Sequence, residues 1–394
     1  MNPRLLTLID LFTRTFNNSP TSFFQSTGRM ELIGNHTDHQ GGTVLVAAID
    51  MVMSAAVTTR DDNVIVLLSE GYPRIEISLD DLASRTYDFN RTSGIIRGVA
   101  YHMMKKGYKI GGLSIVMNSE VRPGSGVSSS AAIEVMIVKM LSSIYNDDSL
   151  DPVTIAKIAQ LAENTHFGKP SGLLDQMGIA LGGINYIDFT NENDPCHEAV
   201  PFPFDDLHFI IINTGGSHTD LTHHYAAVKD NMLQIAHHFG KNRLIDVNPL
   251  DLQRQLFDLV NRYGARVINR ALHFFQECER VKLAKYALIR RDRTSFLAQV
   301  NASGLSSEQL LQNITFKGDS DPRLADGLAF CRANKGMGAI RVHGGGFAGT
   351  ILAIMPNLDF QPFLNIVKQH FGENQVSEVS IIENGLTELP NPLL

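Results

Sequence analysis

The chain has 394 residues, with 41 Asp and Glu against 34 Lys and Arg, a formal charge of -7 and a pI near 6.0. This acidic balance excludes the basic face of a typical nucleic-acid binder, and 43% apolar with 19% charged residues excludes disordered and coiled-coil chains. Length favours two domains, because single cores stop growing near about 250–300 residues.

In chain order, Leu5, Leu8, Ile9 and Phe12 have helical spacing, and Asn17, Asn18 and Pro20 punctuate the end of that first helix. Residues 43–59 and 63–70 are rich in β-branched and apolar side chains and predict strands. Residues 112–121 predict another strand, which runs through the loop RPGSGVSSS into an apolar stretch of helical length. Residues 152–167 predict a helix, after which Pro170, Gly172, Gly182 and Gly183 interrupt regular structure around one acid, Asp175. Residues 207–216 predict a buried strand, 220–300 a set of charge-patterned helices, and 338–356 and 375–382 late strands around a triple glycine. The patterns alone describe a mixed α and β chain in two parts, 1–200 and 201–394.

Cys196, Cys278 and Cys331 are far apart and odd in number; they fit reduced thiols of a cytosolic protein, with burial the ordinary expectation. No apolar run reaches the about 18 residues of a membrane span, and residues 1–20 lack a signal-peptide core with its cleavage site. A cytoplasmic protein free of membrane and nucleic-acid partners is therefore expected.

Three glycine-rich segments carry chemistry. In the middle one, Pro123, Gly124, Ser125, Gly126, Val127, Ser128, Ser129 and Ser130 open a helix. Backbone N–H groups freed there, with the positive end of the helix dipole, suit nucleotide phosphates; an ordinary turn with a capping serine accounts for the spacing as well. The sequence has no G-x-x-x-x-G-K-[ST] and no V-A-I-K, H-R-D or D-F-G set, which excludes P-loop and protein-kinase types. The first segment, Gly28 to Gly42, suits a polyol: Asp38 offers paired acceptors for sugar hydroxyls, His36 a further contact, and Arg29 a planar fork for phosphate oxygens. His36 and His39 beside Asp38 have zinc-ligand chemistry without a specified remote ligand. Asp175 fits either a cleft or the cap of the next helix.

Together and in this order, GRMELIGNHTDHQGG, RPGSGVSSSAA, AENTHFGKPSGLLDQ and RVHGGGFAGTILAI resemble the GHMP kinase superfamily and, within it, the galactokinases, over residues 23–354. The resemblance implies an α+β fold of two domains, a phosphate-loop domain (1–200) and a ferredoxin-like domain (201–394), with the active site between them. It implies an ATP- and Mg2+-dependent kinase for the C1 hydroxyl of galactose, working as a monomer or weak homodimer. By resemblance, Asp175 is the catalytic acid, Arg29 its partner, and Ser129 and Glu163 the magnesium ligands. Residues 123–130 wrap the ATP phosphates, while Asn35, His36, Asp38, Gly172 and Tyr225 meet the sugar and Gly344, Gly345 and Gly346 close on it.

Two departures bear on the substrate. Asn35 stands where typical galactokinases carry a glutamate near the sugar C6 hydroxyl, and D-H-Q-G-G replaces D-Y-N-G-G; galacturonate-phosphorylating relatives share both. A neutral amide at 35 tolerates a hydroxyl or a carboxylate on C6, so galacturonate is the alternative substrate. Thr27 replaces the usual proline before Gly28. A non-catalytic sugar and ATP sensor is the rival of another class, but Ser129, Ser130, Arg29 and Asp175 are all present. A dinucleotide-binding oxidoreductase would need G-x-G-x-x-G directly after a strand, which the loop does not fit.

Overall fold

A computed structural model describes residues 3–121, 124, 126–216, 222–315, 321–347 and 349–393. The expectations for Pro123 and Ser125 lie outside these residues. Among the described residues, twelve strands form two sheets. The first holds β1 (Ser22–Ile33), β2 (Thr43–Arg60), β3 (Val64–Ser69), β4 (Ile75–Ser78), β5 (Gly112–Ser119), β6 (Ile184–Asp188) and β7 (Cys196–Ala199). The second holds β8 (Leu207–Asn213), β9 (Ala339–Val342), β10 (Thr350–Pro356) and β11 (Val376–Val379), and β12 (Thr387–Leu389) returns to the first.

β2 is the spine of the first sheet, whose order is β12-β1-β2-β5-β3-β4 with β6 on β2 and β7 on β6. Its 18 residues pair with β6 over the first stretch and with β5 over the last. The strand reads as continuously apolar because both faces are covered; helices Pro3–Phe16, Leu174–Leu181 and Ala265–Ile289 pack on it. β3 and β5 run parallel, and helix Thr92–Lys105 lies in the chain between them, as a parallel pair requires a crossover.

The second sheet, ordered β11-β8-β10-β9, is antiparallel throughout. In chain order this is the 4-1-3-2 arrangement of a ferredoxin-like unit. Helices Arg323–Asn334 and Asn357–Phe371 cover it through Leu324, Leu328, Phe363 and Leu364. A further core, with Met232, Ile235, Ile268 and Phe274, joins helices Thr222–His238 and Ala265–Ile289.

β1 to β7 lie in the first sheet and β8 to β11 in the second, with only β12 returning to the first. β12 pairs with β1 and Ile381 bridges Ile49, so the C-terminal stretch covers what would otherwise be an open edge of the first sheet. Cys278 and Cys331 are buried thiols, whereas Cys196, on β7, is exposed. No helix among the described residues is long and apolar enough to cross a membrane.

Candidate active site

β1 delivers Arg29 and helix Leu174–Leu181 delivers Asp175 from its first turn. Arg29 Nε donates to Asp175 Oδ1 at 2.7 Å, and Nη1 donates to the Gly126 carbonyl at 2.7 Å. The other Asp175 oxygen accepts from the Ser128 hydroxyl. Burial alone would raise the Asp175 carboxyl, but the Arg29 and Lys169 cations and the bonds from Arg29 and Ser128 hold it down at about 2. Asp175 is thus a fixed anion inside the first turn rather than a helix cap.

Ser128 precedes helix Ser129–Tyr145 in the left-handed conformation, φ 65°, and makes no side-chain cap bond. The serine that would have capped the helix points instead at Asp175, leaving the first N–H groups of the helix uncapped, the arrangement an anion needs. Gly126 must be glycine on two counts. Its φ is +76°, and a Cβ there would stand 2.3 Å from Thr350 Oγ1 on β10. Gly126 is thereby seated on β10 of the second sheet.

Glu163 follows helix Pro152–Ala162 as the first residue of a π turn, Glu163–Phe167, that ends at Gly168; such turns recur at functional sites. Its carboxylate is fully buried. Oε1 accepts from Ser130 Oγ and Lys169 Nζ, each at 2.9 Å. Oε2 accepts from Ser171 Oγ and from Gln176 Nε2, the latter at 2.8 Å. Ser130, rather than Ser129, therefore supplies the hydroxyl facing Glu163. Gln176 Nε2 also reaches Glu134 Oε2 at 2.9 Å, and burial, reinforced by the Glu163 charge, drives the Glu134 carboxyl well above the ordinary range.

Asp38 lies against the same helix: its Oδ2 accepts from Leu174 N at 3.3 Å and its Oδ1 from His39 N at 2.8 Å. Burial, aided by the Asp175 charge, raises its carboxyl to about 6. His36 adopts φ 57°; its Nε2 donates to the Gly345 carbonyl at 3.0 Å and its Nδ1 lies 3.3 Å from His39 Nε2. Tyr225 OH donates to the Gly346 carbonyl at 2.9 Å. Among the described residues no group of three His, Cys, Asp or Glu is placed to hold a metal ion, so the two histidines form a hydrogen-bonded pair with no third ligand.

Asn35 sits 1% exposed, and its amide is engaged entirely by protein: Nδ2 donates to Glu31 Oε1 and the Gly344 carbonyl, while Oδ1 accepts from Asn313 Nδ2 and Ser307 Oγ. The structure thus gathers Arg29, Asp175, Ser128 and Gly126 into one cluster and Glu163 with Ser130 into a second. Asp38 lies with Gly172, and Asn35, His36 and Tyr225 lie on the triple-glycine loop. Sequence reasoning missed Lys169, Ser171, Gln176, Glu31, Arg341 and His343. Lys169 and Ser171 were within reach, because they flank Pro170 in a segment already singled out. Glu31, whose backbone N–H donates to His343 Nε2 at 2.9 Å and whose carboxylate accepts from Arg341 Nη2, reads with these two as ordinary strand and loop residues until the two sheets bring them together.

Residues 94–183 match the family model of the GHMP kinases N-terminal domain, and residues 10–59 that of the galactokinase galactose-binding signature. The fold is shared with mevalonate kinase from Methanococcus jannaschii at a TM-score of 0.65 and 14% identity, covering 93% of this chain and 99% of that one. These features define a GHMP-type small-molecule kinase. A galactokinase from Clostridium perfringens is 31% identical over 98% of this chain and all of its own length, and one from Clostridium tetani is 29% identical over 92% of this chain and 91% of its own. The crystal structure of Lactococcus lactis galactokinase complexed with galactose superposes at a TM-score of 0.87 with 25% identity, covering 98% of this chain and all of that one. The chain belongs to the galactokinase family.

Proposed function

We propose that the protein transfers the γ-phosphoryl group of MgATP to the C1 hydroxyl of galactose, giving galactose 1-phosphate and ADP. The observation that carries this reading is the Arg29–Asp175–Ser128 cluster, which joins β1 to the start of helix Ser129–Tyr145. Phosphates lie along that helix start and the sugar lies against Asp38, His36 and Tyr225. Asp175 accepts a hydrogen bond from the C1 hydroxyl and aims its oxygen at the γ-phosphorus. Held at about 2, it is a weak base. Its work is orientation and late acceptance of the proton, in keeping with the loose transition state of phosphoryl transfer. Arg29 offsets charge that develops on the transferring group.

Glu163 and the hydroxyls of Ser129 and Ser130 are hard oxygen donors suited to Mg2+, which keeps few protein ligands and fills its shell with phosphate oxygens and water. Held there, the ion would supply charge neutralisation to the nucleotide phosphates. Lys169, held on Glu163 at 2.9 Å, adds a second cation beside the same phosphates. A coupled assay with galactose, galacturonate, N-acetylgalactosamine and glucose tests the reading. Galactose is expected to have the highest kcat/KM, and a higher value for any other sugar rejects it.

A further inference from the structure

The two sheets meet beneath the signature loop in a buried polar knot. Glu31 on β1 is 4% exposed and Arg341 on β9 fully buried. Arg341 Nη2 donates to Glu31 Oε1 at 2.5 Å, and Nη1 donates to the Glu31 carbonyl at 3.2 Å. Asn35 Nδ2 donates to the same Glu31 oxygen at 3.1 Å and to the Gly344 carbonyl at 2.6 Å. Asn35 Oδ1 accepts from Asn313 Nδ2 at 2.8 Å and from Ser307 Oγ at 3.4 Å. An amide has two donor hydrogens and two acceptor lone pairs. All four positions are filled by protein, so a sugar hydroxyl could bond the Asn35 amide only by displacing one of these partners.

Charges around position 35 are also matched. Glu31 pairs with Arg341, and Glu277, which accepts from the Asn35 backbone N–H at 3.3 Å, pairs with Arg280. His273, which donates to the Asn35 carbonyl, is kept neutral by burial, with a pKa near 4. A carboxylate introduced at 35 would be a third anion beside Glu31 and Glu277, whose cations Arg341 and Arg280 are already paired, a costly burial.

We propose that Asn35 answers to Glu31 and not to the substrate: the Glu31–Asn35–Arg341 knot is a positioning device that ties the signature loop to the triple-glycine loop, and the choice between hydroxyl and carboxylate at the sugar C6 is made elsewhere. This rests on the sugar-kinase reading above. On this proposal the Asn35 side chain serves the protein's own network rather than the C6 group that the sequence expectation assigned to it.

The test is a double-mutant cycle of wild type, Glu31→Gln, Asn35→Glu and Glu31→Gln/Asn35→Glu, assayed on galactose and galacturonate and melted in parallel. Asn35→Glu is expected to lower kcat/KM about tenfold to a hundredfold on both sugars, with their ratio unchanged within about threefold. The double variant is expected to regain at least about tenfold over Asn35→Glu and to melt higher than it. A shift of the sugar ratio by more than about tenfold in Asn35→Glu, or a double variant no better than the combined singles, overturns the proposal. Should Asn35→Glu not fold, Asn35→Asp keeps the shape of the amide. Its activity relative to wild type is expected to rise as pH falls from 8 to 6, since two adjacent buried carboxylates come to share one proton; a profile parallel to wild type overturns the proposal. A wild-type chain that phosphorylates neither sugar refutes the galactose reading instead, and the melting temperatures of the cycle still decide the pairing.

Discussion

Gly172 and Asp38 are in direct contact: a Cβ added to Gly172 would lie 1.7 Å from Asp38 Oδ2. The loop before the Asp175 helix therefore sets where the Asp38 carboxylate stands, and any side chain at 172 must push it away. Gly172→Ala is expected to raise the KM for galactose by about a hundredfold, the scale of a 1 Å misplacement, while the KM for ATP stays within about twofold. Initial-rate measurements with each substrate varied in turn decide the point; an equal rise for ATP would place the damage outside the sugar site.

Asp38 also predicts a pH dependence. Its carboxyl is raised to about 6 in the fold, against about 3.9 in an unfolded chain. Only the ionised form accepts two sugar hydroxyls, so kcat/KM for galactose should fall with unit slope as pH drops below about 6, and Asp38→Asn should abolish that limb while raising KM. Stability has the opposite sign. A raised acid pKa favours the protonated native state, so ionisation costs stability as pH rises from about 4 to 6. Asp38→Asn should accordingly melt higher than wild type at pH 8, with the difference shrinking towards pH 4.

Asp175→Asn removes the anion that Arg29 and Ser128 jointly hold. The expected result is a loss in kcat of about a hundredfold to ten-thousandfold, with ATP binding by calorimetry retained. Turnover near that of wild type would show that another group orients the C1 hydroxyl.

Glu163→Gln alters the acid that Ser130, Lys169, Ser171 and Gln176 fix in place. The Mg2+ concentration for half-maximal rate is expected to rise about tenfold to a hundredfold, and kcat to recover at high Mg2+. An unchanged metal dependence would leave Glu163 a purely structural acid.

The turn into helix Ser129–Tyr145 was legible in the sequence because its signals are local: a glycine with positive φ at Gly126, a helix start and a serine run occupy a single stretch. The same holds for the β2 spine, whose apolar run reflects the covering of both faces. The segment 152–167 was legible as a helix, but its last five residues form a π turn, a distortion that brings Glu163 against Ser130 and Gln176 and leaves no trace in periodicity.

What the sequence determined by itself was the set of local devices: the glycine turn into a helix, the isolated Asp175, the polar loop from Gly28 to Gly42 and the triple glycine. Only the tertiary structure decided which of them act together. Arg29 meets Asp175 across 146 positions of chain and Asn35 meets Gly344 across 309, through the register of β1 on β2 and of β9 on β10. Hydrogen-bond partnership depends on that three-dimensional register, and a sequence constrains it only through the whole fold. For the same reason the surroundings of Asn35 could not be read from sequence, because its partner Glu31 is near in sequence while Arg341 and Glu277, the charges beside them, come from the far side of the molecule.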